Sequence, residues 1–270
     1  MPSVSDLTAF LDAFAPATLA EPWDNVGLLL GDASVEVRNV MTCLTLTPDV
    51  AQEAIDAQVG LIVTHHPILF RPIKRITTET AEGAMLLALA KAGIAVHSPH
   101  TAFDGTADGI NDRICRRLGL ENVCPIRPLA GSPADSEALD GRPIGAGRYG
   151  ALTTTLDFTA FTDHVRTVFD LTILEAVPSS GMVSKVAVAC GAAAEFLSDA
   201  IRADCEVLVT GEARFHAAIE ARTRGVGLVL LGHYASERFA VEELANVISR
   251  QFSDVVAWPS RVERDPIERY

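Results

Sequence analysis

"VMTCLTLTPDVAQEAIDAQVGLIVTHHP" (40–67) aligns without gaps to "VAVACGAAAEFLSDAIRADCEVLVTGEA" (186–213), at an offset of 146. Val40 matches Val186, Ile55 matches Ile201, Val63 matches Val209 and Thr64 matches Thr210. In each copy a short apolar run leads into a segment with helical spacing, then into a second apolar run that ends in a sharp turn. This is the pattern of a strand–helix–strand unit. Its recurrence implies two related lobes, and α/β lobes gather their functional groups at the ends of their strands.

The pattern extends on both sides of the first copy. Residues 5–15 read as an amphipathic helix, with Leu7, Phe10, Leu11 and Phe14 at helical spacing and Ser5 as the N-cap. "PDVAQEAIDAQ" (48–58) begins with proline, a favoured first helical residue. "AEGAMLLALAKAG" (81–93) is a helix closed by a glycine, "IAVHS" (94–98) a strand, and "DGINDRICRRLGL" (108–120) a further helix. Residues 121–150 are rich in Pro, Gly, Ala and Asp and read as a linker or exposed loops, whereas 151–183 read as strand, helix and strand. The expected architecture is α/β, with two related lobes, mixed sheets flanked by helices, and a metal site in the crevice between the lobes. Lobe 1 is expected over 1–125, with parts of the C-terminus packing on it. A connecting segment without a large inserted domain is expected over 126–184, and lobe 2 over 185–270.

Composition narrows the class. Hydrophobic residues make up 49% and charged residues 21%, which fits an ordinary globular chain and not a disordered one. The formal charge of −13 argues against broad nucleic-acid binding, which draws on a basic surface. No apolar run reaches the length needed to cross a bilayer. The 5 cysteines form no CxxC pair and are odd in number, as expected for reduced thiols. "MPSVSDLTAFLDAFAP" lacks the basic flank of a secretory signal, so the expected location is the cytoplasm.

Of the 7 histidines, His65, His66, His97, His100 and His233 fall at or just beyond expected strands. In an extended strand His65 and His66 would point to opposite faces. A turn after Thr64, toward Pro67, lets both imidazoles converge on one point. Asp104 and Glu237 add carboxylates, each four residues after a histidine (His100 and His233). On a helix that spacing puts His233 and Glu237 on one face. Imidazole with carboxylate suits zinc, iron, manganese or cobalt, and the lack of a nearby thiolate disfavours a closed structural zinc site. Taken singly, His97 and His164 read as hydrogen-bonded structural groups, and His216 as a residue that orients a ligand.

Other motifs carry less. "GAGRYG" (145–150) lacks the lysine and the strand–helix context of a phosphate loop, and no GxSxG elbow occurs. "EPWDNVGLLLGD" (21–32) reads as a polar turn of Trp23, Asp24, Asn25 and Gly27 leading into a buried strand. It is either hairpin chemistry or a wall of the crevice.

Together, "WDNVGLLLGD", "VTHHPILF", "SPHTAFDG", "TGEARFHAA" and "GHYASER" resemble the NIF-three-like family, often labelled GTP cyclohydrolase 1 type 2, in the family's order over 21–237. The resemblance implies a dinuclear-metal α/β fold of two related lobes, assembled as a toroidal homohexamer. It implies that His65, His66, Asp104, His233 and Glu237 ligate two divalent ions per subunit, whether zinc, iron or manganese. His100 and His216 match polar positions near the metals, which makes them candidates for proton transfer. Two departures stand out: the stretch from about 121 to 184 is too short for the inserted domain of longer members, and His97 replaces a residue that is often aromatic. The expected function is a metal-dependent hydrolase. In it a hydroxide bridging two ions opens the imidazole ring of a purine nucleotide such as GTP. The alternative is a metal-binding regulatory or interaction protein without turnover, since no phosphate-cradling motif is present.

Overall fold

The computed structural model describes residues 1–129 and 141–268. The helices, in chain order, are α1 (Val4–Phe14), α2 (Pro48–Asp56), α3 (Ala81–Ala92), α4 (His100–Gly105), α5 (Ile110–Leu118), α6 (Phe158–Val168), α7 (Leu197–Arg202), α8 (Phe215–Arg224) and α9 (His233–Gln251). The first strands are β1 (Gly27–Leu30), β2 (Asn39–Cys43), β3 (Leu61–Thr64), β4 (Ala95–Ser98), β5 (Leu120–Cys124), β6 (Arg127–Pro128) and β7 (Gly145–Ala146). They are followed by β8 (Arg148–Leu156), β9 (Glu175–Val177), β10 (Val183–Ala189), β11 (Val207–Thr210), β12 (Gly227–Leu230) and β13 (Val256–Pro259). The chain forms two compact units, one of Met1–Phe103 with Arg238–Tyr270 and one of Asp104–Glu237.

The first unit is built on a mixed sheet in the order β1-β4-β3-β2-β13. Its strands β4, β3, β2 and β13 run parallel, and β1 is antiparallel at the edge. All four residues of β3 are buried, which is why "LIVT" reads as a continuous apolar run without alternation. Met41, Ile62 and Val96 pack with Val50 and Ala54 of α2 and with Leu86 and Leu89 of α3. Each fully buried aliphatic side chain of this kind stabilises the fold by about 1.5–3 kcal/mol. Thr47 caps α2 by accepting the Val50 N–H, with Pro48 filling the first helical position. Gly93 ends α3 in the left-handed region, at φ 71°.

The second unit repeats the plan. Its sheet has the order β5-β8-β10-β11-β12-β9, with β10, β11 and β12 parallel and the others antiparallel. Ala187, Leu208 and Leu228 pack with Leu197 and Ala200 of α7 and Ala221 of α8. The repeat extends to the hydrogen-bonded register. Val40 pairs with Leu61 and Cys43 with Thr64, while Val186 pairs with Val207 and Ala189 with Thr210. Each residue of one ladder thus has its counterpart 146 positions on (186 − 40 and 207 − 61). The expected α/β fold with an internal strand–helix–strand duplication and mixed sheets is the fold observed.

Three expectations need correction. The lobe boundaries at 125 and 184 differ from the observed units. The segment 126–184 is not simply a connection, because β8 pairs with β10 and β5 within the second sheet. The glycines and prolines that suggest a linker mark the turns around β7. Residues 130–140 of that stretch lie outside the described residues. At the other end, β13 pairs with β2, so the C-terminus packs on the first lobe as expected, and the residues from 238 on belong to that unit and not to lobe 2. Second, the cap of α1 is Ser3, not Ser5: its hydroxyl accepts the Asp6 N–H while its own N–H donates to the Asp6 carboxylate. Third, "GLLL" is a half-exposed edge strand with an irregularity between Leu28 and Leu30, and is not buried. Among the described residues, no helix is long and apolar enough to cross a membrane.

Candidate metal centre

The first unit places three imidazoles together. β3 ends at Thr64, but its backbone bonding continues. The His65 N–H donates to Cys43 O and the His66 N–H to Leu44 O, both at 2.9 Å. Ser98 Oγ donates to His65 O at 2.7 Å, and Thr64 Oγ1 to His66 O at 3.2 Å. These bonds hold the turn and bring the two adjacent rings to a centroid separation of 5.2 Å. His100, the first residue of α4, lies 5.2 Å from His65 and 5.7 Å from His66 by the same measure. One nitrogen from each of His65, His66 and His100 falls within 4.8 Å of the others. A tetrahedral zinc bound at roughly 2.1 Å spaces its donors about 3.4 Å apart, so a small inward shift suffices. Side chains in these positions can hold a metal ion.

Hydrogen bonds hold the His100 and His66 rings of the trio. Asp24 Oδ1 receives His100 Nδ1 at 2.7 Å and the Asn25 N–H at 2.7 Å. Its Oδ2 receives the Thr101 N–H at 3.1 Å and the Thr101 hydroxyl. Burial pushes this carboxyl up, but the hydrogen bonds from His100 and Thr101 outweigh it and hold the pKa at about 2. His66 Nδ1 meets the Thr45 hydroxyl at 2.7 Å. Thr45 is itself held by Glu263, whose carboxylate accepts the Leu44 and Thr45 N–H groups at 2.9 and 2.6 Å. Trp23 and Phe70, both exposed, stand edge-on to one another and to His100.

The second unit holds the acidic donors. His233 opens α9, and its Nε2 lies 3.2 Å from Glu237 Oε2 one turn on, as the spacing predicts. Glu212 Oε1 is 3.6 Å from the other ring nitrogen. The Glu237 carboxylate raises His233 to about 9; burial opposes the rise, and Glu212 adds to it. Ser236 Oγ donates to His233 O at 2.8 Å and accepts the Gly191 N–H at 3.2 Å, tying the start of α9 to the turn after β10. Asp104 belongs to this unit as well. Its backbone carbonyl accepts from Asn111 Nδ2 at 3.0 Å, and Asn111 Oδ1 in turn accepts the Cys190 N–H at 2.8 Å. Burial pushes the Cys190 thiol well above its usual range, and the Asp104 and Glu237 carboxylates add to the effect. Both carboxylates therefore flank the same turn.

The remaining sequence candidates lie elsewhere. His97 is buried and bonds Asp12 Oδ1 of α1 at 3.0 Å, and His164 Nε2 bonds Leu118 O at 3.1 Å, so both serve structure. His216 is exposed on α8 beside Phe215, and among the described residues it joins no candidate ligand group. "GAGRYG" forms β7 and the start of β8, not a phosphate loop. Glu212 went unnoticed in the sequence, although it is the counterpart of His66 at the 146-residue offset.

A protein from Clostridium perfringens named "GTP cyclohydrolase 1 type 2 homolog" is 29% identical over 267 residues, 98% of each chain. One of the same name from Clostridium acetobutylicum is 31% identical over 235 residues, covering 87% of this chain and 85% of the relative. The crystal structure of a Bacillus cereus protein related to NIF3 superposes with a TM-score of 0.88 at 21% identity, over 100% of this chain and 99% of that one, which establishes the shared fold. The family model for Duf34/NIF3 (NGG1p interacting factor 3) matches residues 2–266, and with the strand ladders and histidine turns in the places described, the chain belongs to that family.

Proposed function

We propose that His65, His66, Asp104, His233 and Glu237 hold two divalent ions and that the protein is a metal-dependent hydrolase acting on a purine nucleotide. The observation that carries this reading is the convergence of His65, His66 and His100 on one point. Three imidazoles make a donor set for borderline ions such as zinc, iron or manganese. Asp104, His233 and Glu237 supply oxygen and nitrogen donors of the same character. Bound there, divalent ions act as Lewis acids and lower the pKa of a coordinated water. The residues' own tasks are to fix donor geometry and to move protons. For proton transfer the partly buried setting of His100 suits it better than the exposed His216. The names carried by the two clostridial relatives point to GTP as the first substrate to test. Metal-loaded protein is expected to open the imidazole ring of GTP. Absence of a ring-opened product from protein with verified metal content removes GTP as substrate.

A second reading has its own support. "GAGRYG" is strand, so a phosphate-cradling loop is not found there. A regulatory or interaction protein that binds metal without turnover needs none. It is favoured if His65→Ala lowers stability or oligomer yield while the wild type hydrolyses neither nucleotides nor phosphoesters. A toroidal homohexamer in the cytoplasm belongs to the same proposal, and a monomer mass by light scattering overturns the assembly.

A further inference from the structure

We propose that Asp24 is a positioning residue: it holds His100 with the proton on Nδ1, so that the Nε2 lone pair becomes a third imidazole donor beside His65 and His66. This rests on the metal-binding reading above and extends it to the "WDN" motif, with His100 a donor to metal in place of the proton-transfer role given to it there.

The argument begins with the hydrogen-bond inventory of Asp24. Among the described residues its four contacts are the His100 ring nitrogen, the Asn25 N–H, the Thr101 N–H and the Thr101 hydroxyl. Two of these are backbone N–H groups that only donate, one to each oxygen. The Thr101 hydroxyl already accepts the Glu21 N–H at 3.0 Å and has its proton available for Asp24. An ionised carboxylate is an acceptor at both oxygens. His100 Nδ1 must therefore be the donor in the 2.7 Å bond. In a neutral imidazole the other nitrogen then carries the lone pair. The Asp24 side chain is fully buried and that of His100 is 15% exposed, so water does not compete for the bond.

His66 supplies the contrast. Its Nδ1 partner is the Thr45 hydroxyl, which either donates or accepts and so leaves the tautomer open. Asp24 leaves no such freedom. A backbone observation points the same way. His100 has a φ of 28°, a positive value uncommon for a non-glycine residue. Conformations of this kind persist where surrounding bonds over-determine them, and they cluster at functional sites. The bonds from Asp24 to both His100 and Thr101 are that determinant. Carboxylate partners of this type orient imidazole ligands and raise their basicity, and their removal weakens metal binding about 10–100-fold.

The test uses the full chain, stripped of metal and labelled with nitrogen-15, in long-range proton–nitrogen correlation spectra. His100, assigned by the loss of its signals in His100→Gln, is expected to show a protonated Nδ1 and an unprotonated Nε2. Asp24→Asn is expected to abolish that pattern and to weaken zinc binding about 10–100-fold by chelator competition. A His100 protonated at Nε2 alone in the wild type overturns the proposal, and this spectrum needs no variant to fold. Unchanged zinc affinity in a folded Asp24→Asn overturns it too. A wild type that binds no zinc sinks the dinuclear reading and the donor role together, whereas a wrong tautomer with zinc bound sinks only the role of Asp24.

Discussion

A Cβ on Gly191 would sit 2.5 Å from Glu237 Oε1, at a backbone φ of +65°. The turn after β10 thus leaves room for a carboxylate where any side chain would collide with it. Gly191→Ala meets both the steric conflict and the left-handed backbone, which costs a non-glycine residue roughly 1–2 kcal/mol by itself. The expected outcome is a loss of about 2–3 kcal/mol in urea unfolding, together with reduced metal content. An alanine variant with unchanged stability and metal content would show that Glu237 moves freely and has no fixed role.

Glu263 links the C-terminal segment to the histidine turn. Its carboxylate accepts two backbone N–H groups of the β2–α2 connection and faces Arg238 Nε at 2.9 Å, both side chains being buried. Glu263→Gln keeps the shape and removes the buried charge, leaving Arg238 with the exposed Glu242 carboxylate at 3.1 Å. Destabilisation on the order of 3 kcal/mol is expected from denaturant unfolding. Because Thr45 is displaced as well, metal affinity should fall with it. A stability change under 1 kcal/mol contradicts this account of the turn.

Asp108 gives a pH-dependent prediction. Its hydrogen bond from Arg142 holds the carboxyl below its ordinary range against partial burial, with Arg116 assisting; the Arg142 contact is 2.9 Å. A depressed folded pKa means the stabilisation is present above the ordinary carboxylate pKa and is lost as pH falls through the folded value. The pair is exposed, so the effect should stay within about 1 kcal/mol. Asp108→Asn suits the positive φ of this position and should flatten the acid limb of stability below the ordinary carboxylate range. Identical acid limbs for wild type and variant would show that the ion pair contributes nothing.

What the sequence revealed depended on how local the physics was. The strand–helix–strand repeat was legible because four-residue buried strands demand unbroken apolar runs, and the same runs recur at 146. His233 and Glu237 were legible because helical spacing alone puts them on one face. The role of Asp24 was not, because its partner His100 lies 76 residues away and no periodicity connects them. Glu263 reaches Leu44 across 219 residues. The start of β8 was obscured by the glycines and prolines before it, which put its first residues in the stretch read as loops, although a strand was expected from 151. Its identity as a central strand comes from pairing with β10 and β5, a long-range choice that composition does not encode.

The central proposal is that His65, His66, Asp104, His233 and Glu237 hold two divalent ions. Metal content per chain tests it most directly, measured by elemental analysis on protein purified without a metal-affinity tag and reloaded with zinc or manganese. About two ions per wild-type chain are expected, as dinuclear sites require. His65→Ala and Glu237→Gln, one from each unit, should each lower that number while the protein remains folded. A wild type without bound metal, or two folded variants that keep the full complement, would contradict the claim.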